Sequence, residues 1–307
     1  MPSLPCPTRR TVMSGLAVGA TIALLPGLAA ARPESVLTRP VPSSGEQLPL
    51  VGLGSWITFN VGEDPVLRAE CTAVIRAFFE AGGRMIDSSP MYGSSQAVIG
   101  NALSELGRPQ ALFSADKVWT SGDGPAQIAE SERRWGVPRF DLLQVHNLVA
   151  WEEQLEVLQA MKAAGELGNV GITTSEGRRQ ALFEEVMATW PLDFIQVTYN
   201  PLDRLVEERI LPLAAERGIA VIVNRPFRQG ALTERLEAVP LPGFAAEIGC
   251  ATWAQLILKF IVSHPAVTTA IPATTRVDHV IENVGAASDP LPDAAMRAAI
   301  AAAIEAV

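Results

Sequence analysis

One pattern constrains the fold of this chain more than any other: short apolar runs alternate with longer segments whose apolar side chains recur every three or four positions. The runs predict strands over residues 48–52, 85–87, 112–115, 142–145, 170–172, 194–197, 220–223 and 269–271. The longer segments predict helices over residues 68–81, 95–106, 125–135, 151–164, 176–189, 207–217, 252–263, 277–287 and 292–306. Eight strand–helix units in succession predict an α/β fold, a single (β/α)8 TIM barrel over residues 48–307.

The alternative for such a pattern is a doubly wound parallel sheet. That fold usually has fewer strands, and it carries a glycine-rich turn after its first strand where a dinucleotide binds. The sequence VGLGSW at residues 51–56 has two glycines but lacks the remaining spacing and the following helix. The barrel is therefore the prediction.

Composition and charge limit the classes of function. With 48% hydrophobic and 19% charged residues, the chain has the composition of a globular protein with a large core. Its net charge of −9, without a run of basic residues, argues against a nucleic-acid partner. Three histidines and three cysteines, without the clustered spacing of metal ligands, predict no metal site.

The first 31 residues have the pattern of an export signal. Arg9 and Arg10 precede an uncharged apolar stretch that ends in three alanines at residues 29–31. The paired arginines resemble a twin-arginine signal and predict export to the periplasm. The alternative is an uncleaved membrane anchor, and contact with a membrane is expected only through this segment. A lead rich in proline and serine, residues 32–47, then precedes the barrel.

Polar side chains follow three consecutive predicted strands. Asp87 ends the second strand, Lys117 follows the third and His146 follows the fourth. Tyr92 lies on the loop after Asp87. Taken singly, an aspartate that caps a turn, a solvated lysine or a structural histidine would each explain one of them. Because the C-terminal ends of barrel strands share one mouth, we expect the four side chains to meet there.

These four groups fit the reduction of a carbonyl. A phenol is a weak acid, and a neighbouring lysine would lower the pKa of Tyr92 while Asp87 keeps Lys117 charged. Tyr92 would then protonate the carbonyl oxygen, and His146 would orient that oxygen by a hydrogen bond. Since no side chain donates hydride, the set implies a nicotinamide cofactor.

The same residues carry a resemblance to the aldo-keto reductase family, which extends from about residue 46 to the C-terminus. MIDSSPMYG, ADKVW and LLQVHN resemble the family's aspartate–tyrosine, lysine and histidine segments. GNVGITT, IQVTYNPLDR and AIPATTRVDHVIENV follow in family order. The resemblance implies the activity of an NAD(P)(H)-dependent aldo-keto reductase with a catalytic tetrad of Asp87, Tyr92, Lys117 and His146.

The resemblance also implies the cofactor contacts. Thr173 and Thr174 occupy the place of a serine–asparagine pair that binds the nicotinamide carboxamide, and Gln196 matches a glutamine with the same role. Asn224 stands where many members stack a tyrosine on the ring. Arg276, with the hydroxyl of Thr274, would meet the 2′-phosphate, so NADP(H) is the predicted cofactor and NAD(H) the alternative. The further implied contacts are Arg225, Phe227, Thr274, His279, Glu282 and Asn283.

Three side chains near the predicted mouth are candidates to contact substrate: Trp56, Met91 and Trp119. Core packing would explain any one of them. Together they predict an apolar pocket for small aldehydes or ketones. The loop over residues 227–251 is long enough to close on the cofactor or to shape this pocket.

Two other functions are compatible with parts of the pattern. A regulatory or binding subunit that holds a cofactor with little turnover would keep the same tetrad. A barrel isomerase or aldolase that uses Lys117 as a Schiff base would need no nicotinamide, but it leaves the segment IPATTRVDHVIEN over residues 271–283 without a role. An exported reductase, in turn, would need a tightly held cofactor or a redox partner that recycles it.

Overall fold

The computed structural model describes residues 36–307. The predicted export signal over residues 1–31 lies outside the described residues, as does the start of the lead. Within them, no helix is long and apolar enough to cross a membrane. The strands are β1 (Thr38–Pro40), β2 (Gln47–Pro49), β3 (Leu53–Gly54), β4 (Met85–Asp87), β5 (Phe113–Val118), β6 (Leu142–His146), β7 (Asn169–Thr173), β8 (Phe194–Thr198), β9 (Ala220–Asn224) and β10 (Thr269–Ala270).

Helices follow most of the strands, and several begin at a residue whose side chain accepts backbone N–H groups. Asp64, Asp123 and Thr252 cap the first, third and eighth helices in this way. The α-helices of the described residues are α1 (Pro65–Glu80), α2 (Ser95–Glu105), α3 (Gly124–Trp135), α4 (Trp151–Ala163), α5 (Gln180–Thr189), α6 (Ile210–Arg217), α7 (Ala231–Leu236), α8 (Trp253–Val262), α9 (Val277–Gly285) and α10 (Ala294–Glu305).

The strands from β3 to β10 form one parallel sheet in chain order. Parallel bridges from Val51 to Ala270 and from Gly54 to Ala273 join its two edges, so the sheet curls into a nearly closed barrel. Glycine is required at position 54 because a Cβ there would lie 2.7 Å from the carbonyl oxygen of Ile271. The predicted single (β/α)8 barrel is confirmed.

The start of the barrel differs from the prediction. The predicted first strand, residues 48–52, is divided: Leu48 belongs to the antiparallel hairpin of β1 and β2, and the barrel strand begins at Leu53. Leu48 and Val41 are buried and pack with residues such as Phe113 at the N-terminal end of the barrel. Leu48 therefore helps to close the bottom of the barrel, and part of the lead forms β1.

Several further segments differ from their predicted bounds. Strand β5 extends to Val118 instead of residue 115, so Lys117 lies within the strand and not after it, and α1 and α6 begin at Pro65 and Ile210 instead of residues 68 and 207. Helix α5 begins at Gln180 instead of residue 176, because Glu176 and Arg179 adopt left-handed backbone conformations with φ of 59° and 55°. The predicted loop over residues 227–251 contains α7 and two short 3-10 turns.

The period of two along each strand decides which side chains face the barrel interior. Phe113 and Ala115 of β5 pack inside the barrel, and Lys117 continues the same row. Asp116 is one residue out of step and meets the helices, where it accepts a hydrogen bond from Gln96 of α2. The inward rows of neighbouring strands end in polar residues, and these meet at the C-terminal mouth.

Candidate active site

An ion pair between Lys117 and Asp87 lies at the centre of the mouth. Nζ of Lys117 is 2.6 Å from Oδ2 of Asp87 and donates a second hydrogen bond to the carbonyl oxygen of Ser88 at 2.8 Å. Burial by itself would lower the pKa of Lys117, but the charge and hydrogen bond of Asp87 more than offset it, so the pKa lies above its usual value. The ammonium therefore stays positively charged near neutral pH.

Two glutamines hold the other oxygen of the Asp87 carboxylate. Oδ1 accepts hydrogen bonds from Nε2 of Gln196 at 2.8 Å and from Nε2 of Gln144 at 3.3 Å. Both glutamines lie on inward rows, on β8 and β6. With Lys117 on Oδ2, three side chains fix the carboxylate, and the carboxylate in turn fixes the ammonium.

A tight turn places Tyr92 beside the ammonium. The backbone N–H of Tyr92 donates to the carbonyl oxygen of Ser89 at 2.9 Å and closes a four-residue turn. Nζ of Lys117 lies 5.1 Å from the centroid of the Tyr92 ring. The ring also meets His146 edge to face, with centroids 5.8 Å apart at 86°.

The predicted lowering of the Tyr92 pKa is wrong in direction. Burial raises the pKa of Tyr92 above its usual value, Lys117 lowers it only in part, and the charge of Asp87 adds to the rise. The loss of solvent around the phenol outweighs the attraction of one cation that is already paired. Tyr92 is therefore a fully protonated phenol near neutral pH, which is the form that a proton donor needs.

His146 is a neutral ring at the same wall of the mouth. Burial lowers its pKa to about 2, and the positive charge of Lys117 adds to the effect. Nδ1 of His146 lies 2.8 Å from Oγ of Ser89. A neutral imidazole carries one proton, so one nitrogen donates a hydrogen bond and the other accepts.

A cavity of about 1090 Å³ opens above these residues. Asp87, Tyr92 and His146 line it, while Lys117 is buried beneath. The cavity extends over the ends of β7 to β9 and reaches the start of α9. It is larger than the pocket of a typical small ligand, which measures roughly 300 to 1,000 Å³, and it has the extent that a dinucleotide requires.

The predicted nicotinamide contacts lie along the middle of the cavity. Thr173, Thr174, Gln196 and Asn224 all line it. The hydroxyl of Thr173 donates to Oε1 of Gln196 at 3.2 Å, and Nδ2 of Asn224 donates to the carbonyl oxygen of Thr174 at 2.9 Å. The hydroxyl of Thr174 donates to the carbonyl oxygen of Arg178 at 2.8 Å, so it stabilises its own loop. These four side chains form one connected polar patch next to the tetrad.

Of the predicted cofactor contacts within residues 274–283, all but one line the far end of the cavity. Thr274, His279, Glu282 and Asn283 line the cavity. Arg276 is not among the lining residues: its Nε donates to Oδ1 of its neighbour on α9, the exposed Asp278, at 3.0 Å, and a second nitrogen bonds the other oxygen. Its backbone N–H donates to the Thr274 hydroxyl at 3.1 Å.

Two of the three predicted substrate residues line the cavity, and one does not. Trp56 and Met91 line the cavity, and the Trp56 ring lies 6.5 Å from that of Tyr92. Trp119 is 41% exposed and lies outside the lining. Arg225 and Phe227, predicted as cofactor contacts, also line the cavity.

Residues 50–304 of the chain match the model of the aldo/keto reductase family. The chain belongs to this family. It is 28% identical over 254 residues to the methylglyoxal reductase YeaE of Escherichia coli (strain K12), which covers 78% of this chain and 86% of the relative. It is 27% identical over 244 residues to an NADH-specific methylglyoxal reductase of the same organism, with 67% and 72% covered.

Solved structures of this family show the same fold. The holo form of the aldo-keto reductase AKR11C1 from Bacillus halodurans superposes with a TM-score of 0.71 at 23% identity, covering 86% of this chain and 95% of that one. An aldo/keto reductase from Klebsiella pneumoniae, solved with NADP and acetate, superposes with a TM-score of 0.68 at 22% identity, covering 85% and 93%.

Several residues of this aldo/keto reductase site are absent from the sequence-based predictions. Gln144 holds Asp87, Ser89 contacts His146, and Glu176 forms an ion pair with Arg225 at 2.7 Å. Alternation along β6 would have identified the glutamine, which lies two residues before His146 on the same inward row. No sequence pattern indicates the other two contacts, since each joins a loop residue to a side chain that is distant in sequence.

The residues present fit a nicotinamide dinucleotide. The cavity offers amide and hydroxyl groups beside the tetrad, at Thr173, Gln196 and Asn224. A second polar set consists of Thr274, which precedes α9, and Asn283, which lies within α9. Between these sets lies enough volume for the two linked nucleotides. The family's oxidoreductase chemistry is therefore compatible with this chain's own side chains.

Proposed function

We propose that this aldo/keto reductase reduces aldehyde and ketone carbonyls to alcohols with NAD(P)H, and that it catalyses the reverse oxidation where the equilibrium favours it. One observation carries the proposal. A protonated phenol, Tyr92, and a neutral imidazole, His146, line one wall of the cavity above the buried pair of Lys117 and Asp87. The methylglyoxal reductases among the relatives support a small carbonyl compound as the substrate.

The chain's own residues manage the proton of this reaction. The bound cofactor would supply hydride to the carbonyl carbon. Tyr92 acts as general acid and gives its proton to the carbonyl oxygen as negative charge develops there. The phenolate that remains is stabilised by Lys117, which its pair with Asp87 keeps charged. His146 holds the same oxygen by a hydrogen bond.

Trp56 and Met91 would complete the site by contacting the carbon skeleton of the substrate. Both line the cavity near Tyr92. Apolar walls exclude water from the reacting carbonyl, which strengthens the hydrogen bonds made to its oxygen. A role for Trp119 would require that a substrate extend beyond the cavity lining.

For the cofactor we propose NADP(H) as the preferred form and NAD(H) as the alternative. Arg276 uses two of its five N–H donors on Asp278, whose carboxylate competes with a 2′-phosphate for the guanidinium. Glu282, which lines the same end of the cavity, would repel a phosphate. The preference is therefore expected to be small. The NADH-specific relative supports the alternative.

We propose further that the protein is exported by the twin-arginine route through Arg9 and Arg10. That route would let the cofactor travel bound to the folded barrel, with a redox partner recycling it outside the cytoplasm. Fractionation of cells that express the full chain tests the proposal. Export that persists after both arginines are changed to lysine would contradict it, as would a membrane-bound protein that retains residues 1–31.

The reductase is tested by mixing the full chain with NADPH or NADH and a panel of aldehydes and ketones that includes methylglyoxal. We expect cofactor oxidation that depends on both the carbonyl and the protein. Tight cofactor binding without turnover on any member of the panel would favour a regulatory or binding subunit. Absence of binding to either cofactor would contradict both functions.

A further inference from the structure

Ser89 is a fully buried residue that contacts the two catalytic groups of the cavity wall in different ways. Its carbonyl oxygen accepts the backbone N–H of Tyr92 at 2.9 Å. Its hydroxyl oxygen lies 2.8 Å from Nδ1 of His146 and accepts the backbone N–H of Met91 at 3.2 Å. One residue therefore closes the turn that carries the phenol and also touches the imidazole.

The proton of this hydroxyl needs an acceptor, because the side chain of Ser89 has no access to solvent. The backbone N–H of Met91 is itself a donor to Oγ of Ser89, so it cannot accept the proton of that hydroxyl. Among the described residues, Nδ1 of His146 is the remaining hydrogen-bond partner of this oxygen. If the histidine instead donated from Nδ1, the serine proton would be buried without a partner, which disfavours that arrangement.

From this geometry we propose that Ser89 is a positioning residue that holds His146 in the tautomer protonated at Nε2. The proposal rests on the proposed function, since its consequence is that the ring presents a donor to the substrate. With Nδ1 accepting from Ser89, the single proton of the neutral ring lies on Nε2. His146 then donates a hydrogen bond to the carbonyl oxygen that Tyr92 protonates.

The opposite tautomer would oppose the reaction. An unprotonated Nε2 would turn a lone pair toward the carbonyl oxygen, where negative charge develops during hydride transfer. Loss of one donor at such an oxygen costs about 100-fold or more in rate where the donor is fixed. Without Ser89, the ring would still reach the correct tautomer for part of the time, so we expect a loss of about tenfold in kcat.

The tautomer can be observed directly by long-range proton–nitrogen NMR of the nitrogen-labelled full chain. The sequence has three histidines, so the signal of His146 is assigned by its loss in His146→Gln. We expect wild-type His146 to show a protonated Nε2 and an unprotonated Nδ1. A protonated Nδ1 in the wild type would overturn the proposal, whatever the behaviour of any variant.

Two serine variants supply the kinetic test. Ser89→Ala removes the hydroxyl, and Ser95→Ala is the matched control because Ser95 is equally buried but its hydroxyl bonds that of Ser88 at 2.9 Å. We expect Ser89→Ala to lower kcat about tenfold, to mix the His146 tautomers, and to leave the dissociation constant for NADPH within about twofold. Ser95→Ala should retain the wild-type tautomer and kcat.

Equal kcat for the two variants would contradict the positioning role. If Ser89→Ala does not fold, the wild-type spectrum still decides. The wild-type spectrum, combined with the activity assay, also distinguishes failure of the proposed role of Ser89 from failure of the proposed carbonyl reduction. A protonated Nε2 in a protein that turns over no carbonyl would refute carbonyl reduction and with it the catalytic use of this bond. A protonated Nδ1 in an active enzyme would refute the role of Ser89 alone.

Discussion

An ion pair lies near each end of the cavity, and the two pairs differ in almost every physical respect. Beside Tyr92 and His146, the side chains of Lys117 and Asp87 are 0% and 2% exposed. Beside the end formed by α9, those of Arg276 and Asp278 are 61% and 63% exposed. A buried pair cannot lose one member without leaving an uncompensated charge, whereas an exposed pair exchanges its partners with solvent or ligand at little cost.

The difference suggests a division of labour within one cavity. The catalytic end needs fixed charges, because a phenolate must form beside a cation that does not move. The proposed site of the 2′-phosphate needs an exchangeable cation, because the Asp278 carboxylate competes with a phosphate for Arg276. Variants at each end of the cavity test whether the two ion pairs differ in this way.

The largest effect is expected from the general acid. Tyr92→Phe should lower the rate of hydride transfer in single turnover by about a thousandfold, because the carbonyl oxygen loses its proton donor. The matched control is Tyr199→Phe, which changes the chain's second tyrosine, a buried residue that bonds Glu207 away from the cavity. The control should keep the wild-type rate. Equal rates for the two variants would show that Tyr92 is not the proton donor.

The next effect is on stability. Lys117→Met leaves the Asp87 carboxylate buried without its cation and should lower the free energy of unfolding by about 3 kcal/mol. Arg276→Met should leave chemical denaturation indistinguishable from wild type, since both members of that pair are exposed.

A double variant separates the charge from the packing. Lys117→Met combined with Asp87→Leu removes both members of the pair and should recover part of the lost stability. If the double variant is less stable than Lys117→Met, the cost lies in packing, and the electrostatic contrast between the two ends is not its cause.

A smaller effect is expected on the pH dependence of stability. The pKa of His146 is about 2 in the folded chain against an ordinary value of 6.5, so below pH 6.5 the unfolded chain binds a proton that the folded chain excludes. The contribution of this ring to the free energy of unfolding is fully present above pH 6.5. It falls on acidification, by about 2 kcal/mol between pH 7.5 and 5.

The variant His146→Gln isolates this contribution. Asp116, whose pKa burial raises to about 7, and His264, whose pKa burial lowers to about 4, also titrate with folding, but both proteins retain them. The difference in unfolding free energy between variant and wild type should therefore shift in favour of the variant by about 2 kcal/mol from pH 7.5 to 5. A constant difference across that range would mean that the ring is solvated.

The smallest effect concerns the exchangeable pair. Asp278→Asn removes the competitor for Arg276 and should tighten NADPH binding about threefold, with NADH binding unchanged. Arg276→Ala should weaken NADPH binding about tenfold. Fluorescence titration measures both constants. Tighter binding of both cofactors by Asp278→Asn would indicate a general effect of charge and not competition for Arg276.

Much of this site could be predicted because it depends on strand periodicity. Asp87 and His146 end their strands and Lys117 lies one residue before the end of its own, and barrel geometry brings such residues together. Sequence reasoning failed where a contact joins a loop to a residue distant in sequence, as for Ser89 with His146. It also failed for the pKa of Tyr92, since the extent of burial is a property of the folded mouth. The first strand was misplaced because the apolar run at residues 48–52 serves partly as a plug for the barrel.

The division between the two ends of the cavity is tested most directly by two constants, kcat for a carbonyl substrate and the dissociation constant for NADPH. Both are measured on the full chain and on the variants Tyr92→Phe and Arg276→Ala. We predict that Tyr92→Phe loses about three orders of magnitude in kcat with its NADPH affinity unchanged. Arg276→Ala should lose NADPH affinity and keep its kcat at saturating cofactor. If either variant loses both constants together, the two ends of the cavity do not act separately, and the division proposed here is wrong.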